Sequence, residues 1–125
     1  MKPELEQRLI ERWPAWFNVN GDLRHTLMPL GFQHRDGWFL LLWRLCEELE
    51  PLVAEAEKES GKPFEVFQVK EKFGGLRFYV SHHTVVVDPL IEDTQEESSR
   101  TCEVCGQQGS LHGLKTRCAE HAQKG

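Results

Sequence analysis

The sequence has no long apolar run. Its longest uninterrupted stretch of large apolar residues, Trp38 to Trp43, is six residues, far short of the roughly 20 that span a bilayer. Residues 1 to 15 do not pair a basic head with an apolar stretch, so no leader and no membrane association are expected, and a cytoplasmic protein is. An excess of positive charge is also missing. With 15 Lys and Arg against 20 Asp and Glu the formal charge is -5, which argues against generalised electrostatic binding of nucleic acid. Gly-rich phosphate loops and serine elbows are absent, and the only asparagines are Asn18 and Asn20. Cysteine is scarce outside the C-terminus: Cys46 lies alone in an apolar stretch, while Cys102, Cys105 and Cys118 crowd together. That is not the spread of a secreted disulfide scaffold; it suggests metal in a reducing compartment.

A chain of 125 residues with 39% apolar content is one ordinary domain that buries roughly two-thirds of its surface. The expected fold class is α+β: one long helix packed on a small antiparallel hairpin sheet, followed by a treble-clef or zinc-ribbon-like module. Residues 1–87 are expected to form the α+β core. Leu5, Leu9 and Trp13 have helical spacing and Pro3 suits a first turn, which predicts a helix over 3–13. Residues 18–35 read as an irregular loop broken by Gly21, Pro29 and Gly31. A long helix is predicted over 36–60, capped by Asp36. Its stripe is Trp38, Leu41, Leu42, Leu45, Leu49, Leu52, Val53 and Ala56, and Pro51 is expected to bend or divide it. Phe39, Leu40 and Trp43 make its first turns apolar on nearly all sides. This implies cover from two directions, and Trp38, Phe39 and Trp43 would suit a dimer contact.

Residues 64–81 read as a β-hairpin turning at Gly74 and Gly75. The opposed pairs would be Phe73 with Leu76, Lys72 with Arg77, Glu71 with Phe78, Lys70 with Tyr79 and Val69 with Val80. One face would carry Phe67, Val69, Phe73, Leu76, Phe78 and Val80 toward the helix. The other carries Lys70, Lys72, Arg77 and Tyr79, a candidate partner-binding surface for an acidic protein or a phosphate backbone; the plain alternative is a solvated face neutralised by Glu71 or by glutamates of the long helix. Glu71 itself falls on the apolar side, and Phe64 and Val66 on the basic side, where some cover is required. Thr84 to Val87 could add a third strand. Residues 88–100 (DPLIEDTQEESSR), with net charge -4, are an acidic connector or a short solvated helix. That block, with Glu47, Glu48 and Glu55, could alternatively imitate a nucleic-acid backbone toward a basic partner.

The strongest chemical signal is TCEVCGQQGSLHGLKTRCAEH, residues 101–121. Cys102 and Cys105 are separated by two residues, and Cys118 and His121 repeat that spacing. Four soft or borderline donors in two pairs suit tetrahedral Zn2+, and with every position filled by protein the ion would be structural. His112 is the competing fourth ligand. The segment 101–125 is therefore the candidate zinc-binding module, with little besides Leu111 and Leu114 to fold around without metal. Cys46 reads as a small core residue.

KEKFGGLRFY (70–79), Gly37-Trp38 leading LLWRLCEELEP, and CEVCGQQG with a terminal CxxH together resemble a family of short uncharacterised proteins from phages, prophages and bacterial genomes. The resemblance implies a zinc module and an accessory role toward a host or phage protein, as inhibitor or adaptor. It implies no catalytic mechanism. A nucleic-acid-binding module using the hairpin face with Lys115 and Arg117 is the alternative. A treble-clef-type metal-dependent nuclease is a third reading, with His112 as base and only Glu120 left as a helix ligand.

Overall fold

The computed structural model describes residues 1–122. Its element order is α1 (Pro3–Arg12), β1 (Phe32–Gln33), α2 (Phe39–Ser60), β2 (Val66–Lys72), β3 (Gly75–Val80), α3 (Asp88–Ser98), β4 (Ser110–His112), β5 (Lys115–Arg117) and α4 (Ala119–Ala122). The fold is α+β, with a long helix and two small sheets. Among the described residues no helix is long and apolar enough to cross a membrane.

The apolar stripe of α2 packs as its spacing requires. Leu42, Leu45, Cys46, Leu49 and Val53 share one core cluster with Val66, Val69, Leu76, Phe78 and Val80 of the sheet. Pro51 does not divide the helix. Proline removes the bond to the carbonyl four residues back, but Pro51 and Glu47 both lie on the exposed side of the helix, where the freed carbonyl is not sealed into the core. Asp36 is not the helix cap. A 3-10 turn, Asp36–Trp38, precedes α2, and the Asp36 carboxylate instead accepts the Lys2 N–H at 2.7 Å. The cover over the first turns comes from α1: Trp13 stands edge-on to Trp43, and Arg8 lies over Phe39 and Trp43. Trp38 and Phe39 are buried within the chain, so the apolar surround expected to suit a dimer is spent internally. Leu40 alone of that group stays exposed.

The three-stranded sheet is mixed, in the order β1-β2-β3. Its third strand is not Thr84–Val87. The outer edge of β3 is already used by α3, whose Ser98 hydroxyl and Gln95 side chain accept the Leu76 and Phe78 N–H groups at 2.9 and 3.0 Å. Residues 84–87 turn instead, with the Thr84 hydroxyl accepting the Val86 and Val87 N–H groups. The third strand is β1, from the loop region, paired parallel to β2 through Phe32 with Val69 and Gln33 with Lys70.

The β2–β3 register also departs from expectation. The pairs are Val69 with Phe78, Lys70 with Arg77, Glu71 with Leu76 and Lys72 with Gly75. The turn is therefore Phe73-Gly74, with φ of 52° and 86°, the positive pair that a two-residue hairpin turn requires. Phe73 pays about 1–2 kcal/mol for this conformation and is 69% exposed, not on the apolar face. The slip is by an even number of residues, so facing is otherwise preserved, and the like-charge pair becomes Lys70 with Arg77. A β-bulge between Val66 and Gln68 switches facing at the start of β2. Phe64 and Val66 thereby enter the core, and Phe67 does not. An extra residue in one strand has this effect because facing alternates with period two.

His34 lies between Phe32 and Trp38. Its Nδ1 donates to the Arg35 carbonyl at 2.7 Å, and its Nε2 is buried without a partner. Burial is the main reason its pKa falls from 6.5 to about 4. As pH drops through that window the unfolded chain binds a proton that the folded chain refuses. The stabilisation is complete above pH 6.5 and is lost by about pH 4, an expected loss of about 3 kcal/mol. Urea unfolding across this range should show that His34→Asn, which cannot titrate, loses less stability than the natural chain. Parallel pH profiles would contradict the assignment.

Candidate metal centre

The C-terminal segment builds a site from three short pieces. A knuckle carries Cys102 and Cys105, closed by the Gly106 N–H donating to the Cys102 carbonyl at 2.9 Å. The β4–β5 hairpin follows, and Cys118 leads into the single turn α4, which carries His121. The donor atoms of Cys102, Cys105, Cys118 and His121 all lie within 4.8 Å of one another. Sγ of Cys105 and Sγ of Cys118 are 3.8 Å apart, and His121 Nδ1 is 3.7 Å from Cys102 Sγ and 3.1 Å from Cys118 Sγ. Four such donors could hold a metal ion. His112 is outside the cluster: it is exposed on β4, with Nε2 near the Ser110 hydroxyl at 3.4 Å.

The thiols differ in their surroundings. Burial would raise Cys102, but N–H groups of Cys118, Cys105 and Val104 aimed at its sulfur outweigh that and lower its pKa to about 6. Such a cradle stabilises thiolate, the form that ligates metal. At Cys105 the Gln107 N–H lowers the pKa, yet burial and the neighbouring sulfurs of Cys102 and Cys118 prevail and raise it. Cys46 is fully buried in the α2 core, and burial holds its thiol far above the ordinary range. It is inert.

The chain matches no protein-family model, no curated protein and no solved structure in these comparisons.

The cluster is fastened to the rest of the fold by contacts that span long sequence distances. Gly37 N–H donates to the Glu103 carbonyl at 2.7 Å, and Trp38 Nε1 donates to the Thr101 carbonyl at 2.9 Å. A Cβ on Gly37 would overlap the Cys102 carbonyl oxygen and come within 2.6 Å of the Glu103 backbone, so glycine is what allows this approach. On the other side, the Thr116 hydroxyl donates to the Gly74 carbonyl at 2.6 Å. Lys115 Nζ meets Glu71 at 2.7 Å, and the other Glu71 oxygen accepts the Gly74 N–H. Glu71 points inward because the β4–β5 hairpin covers it there. Burial would raise its pKa, but Lys115, the Gly74 N–H and Arg117 together lower it.

These contacts bury Arg117, one of the nucleic-acid contacts expected from the sequence, and engage the other, Lys115, whose side chain stays half-exposed. Lys115 is paired with Glu71, and Arg117 is buried with its Nη1 3.0 Å from Glu103. Sequence reasoning missed the Glu103–Arg117 pair; its only signal was a glutamate inside the CxxC loop. Glu71 does not neutralise the hairpin's basic face either. Among the described residues Lys70, Lys72 and Arg77 form no ion pair. Arg77 folds over Gly75 and donates to the Leu76 carbonyl at 3.0 Å. Several of the acidic groups considered as a backbone mimic are matched by cations instead, Glu48 and Glu97 by Arg44 and Glu96 by Arg100, while Asp88 has the His83 ring at 3.3 Å.

Proposed function

We propose that the chain is a non-catalytic accessory protein built around one structural Zn2+ and binding an anionic partner through the open face of its sheet. The observation that carries the zinc reading is the convergence of Cys102, Cys105, Cys118 and His121. Two sulfurs each 2.3 Å from zinc at a tetrahedral angle lie about 3.8 Å apart, the separation of Cys105 and Cys118. Four protein donors complete a tetrahedron, which fits a structural ion and leaves no position for substrate. Knuckle, hairpin and helix in that order support a treble-clef-like arrangement.

Lys70, Lys72, Arg77 and Tyr79 form the proposed contact surface. The resemblance of KEKFGGLRFY supports an accessory role of phage or prophage type, as inhibitor or adaptor. A host or phage protein with an acidic surface is one class of partner and nucleic acid the other. Two measurements test the reading. Native mass spectrometry with elemental analysis should find about one zinc per chain, lost in Cys118→Ser. The folded protein should be retained on heparin at low salt despite its net charge, and Lys70→Glu with Arg77→Glu should abolish retention without lowering the melting temperature. A metal-free folded chain would overturn the first half; equal elution of the two proteins would overturn the second.

A further inference from the structure

We infer that the open sheet face binds single-stranded nucleic acid, with phosphates along Lys70, Lys72 and Arg77 and bases on Phe73 and Tyr79. This rests on the reading of that face as an anion-binding surface. Its composition is the first support. Gln33, Lys70 and Arg77 form one row across the three strands, and Gln68 and Tyr79 the next. The Gln33 and Gln68 amides are bonded to each other at 2.9 Å. No carboxylate stands in either row.

The arrangement of aromatics is the second support. Phe73 is the turn residue, 69% exposed at φ 52°, with Lys72 Nζ 5.8 Å from its ring centroid. Asparagine or glycine would hold that turn without strain, so folding of the turn does not explain the phenylalanine. Tyr79 is 40% exposed at the other end of the face. The two aromatics thus bracket the cationic rows. Side chains on one face of a strand recur about every 7 Å, a spacing that successive phosphates of an extended single strand can follow. Stacking on Phe73 also requires an unpaired base. An acidic protein segment would satisfy the cations but would leave the exposed phenylalanine unused.

The net charge of -5 does not forbid this. The glutamates of α2 lie on the helix that packs against the opposite, apolar face of the sheet, the one carrying Val69, Leu76, Phe78 and Val80, so they do not share the surface that carries the cations. Asp88 and Glu92 line a cavity with Tyr79, which assigns that end to a base and keeps phosphate on the Lys70, Lys72 and Arg77 side.

Fluorescence anisotropy with a labelled oligothymidylate of about 12 nucleotides, within the usual site sizes, tests the inference. Saturable binding is expected, with a log–log salt slope of about -2 for three cations on a single strand. Lys72→Gln should reduce that slope by about 0.7. Phe73→Asn should weaken binding about 10-fold with an unchanged slope and a melting temperature no lower than the natural chain's, since asparagine accepts the turn conformation. Absence of saturable binding would overturn the inference, as would displacement of the strand by polyglutamate at equal charge, duplex bound as tightly as single strand, or no loss in Phe73→Asn. If the strand fails to bind while heparin retention still depends on Lys70 and Arg77, this inference falls and the anion-binding reading stands. Zinc content of the same sample reports separately on the metal.

Discussion

Removing the proposed zinc with a strong chelator, or replacing Cys118 by serine, is expected to unfold residues 101–122 and lower the stability of the whole domain. The segment has almost no core of its own. Leu111 and Leu114 are 60% and 65% exposed, and what it buries is Cys102 with the polar side chains Glu103, Thr116 and Arg117. Structural zinc contributes about 10–16 kcal/mol in zinc-finger peptides at neutral pH, as much as the total stability of an ordinary domain, about 5–15 kcal/mol. The segment's remaining hydrogen bonds, worth about 1 kcal/mol each, are too few to replace it. Loss should then spread to α2, because the Gly37–Glu103 and Trp38–Thr101 bonds go with it. Hydrogen exchange reads this directly. The amides of Cys102, Glu103 and Gly109, bonded to Gln107, Thr116 and Arg100, should lose protection without metal. Undiminished protection in the zinc-free protein would refute the structural role.

Chemistry with local spacing was the most legible part of this chain. Cys102, Cys105, Cys118 and His121 converge as their two CxxC-like pairs demand, the α2 stripe sorts core from surface, and the hairpin alternation does so from Val69 to Lys72 and from Leu76 to Val80 but not at Phe64 to Phe67 or at Phe73. What could not be read was decided by partners distant in sequence. Gly74-Gly75 is by local preference the better turn, yet the turn forms one residue earlier. There Glu71 binds the Gly74 N–H and Thr116 binds its carbonyl, and Val69 meets Phe78 in the core. The bulge at the start of β2 has no signal of its own beyond the misplacement of Phe64 and Val66. β1 is only two residues long, too short for any periodicity. Asp36 looked like a cap because its neighbours are helical; the Gly37 N–H was instead taken by a carbonyl 66 positions away. Charge was legible in total and misleading in detail, since Lys115 and Arg117 are matched within the fold while Lys70, Lys72 and Arg77 are not.

The clearest consequence of that hidden matching is at Glu103. Its side chain is 4% exposed and that of Arg117 8%. One carboxylate oxygen accepts Arg117 Nη1 and the other accepts the Arg35 N–H, both at 3.0 Å. Its backbone N–H bonds Thr116 and its carbonyl takes Gly37. One residue therefore ties the knuckle to β5 and to the loop entering α2. Glu103→Ala leaves a buried guanidinium uncompensated and the Arg35 N–H without its acceptor, a combination expected to cost about 3–5 kcal/mol. A well-packed apolar pair often restores such a loss. The double replacement Glu103→Leu with Arg117→Met should therefore be more stable than Glu103→Ala alone, with zinc content unchanged because no ligand is touched. Urea unfolding of the zinc-loaded proteins decides it. A cost below about 1 kcal/mol for Glu103→Ala would mean that water reaches Arg117, and the bolt between the metal loop and the core would have to be sought in the Gly37 and Trp38 contacts alone.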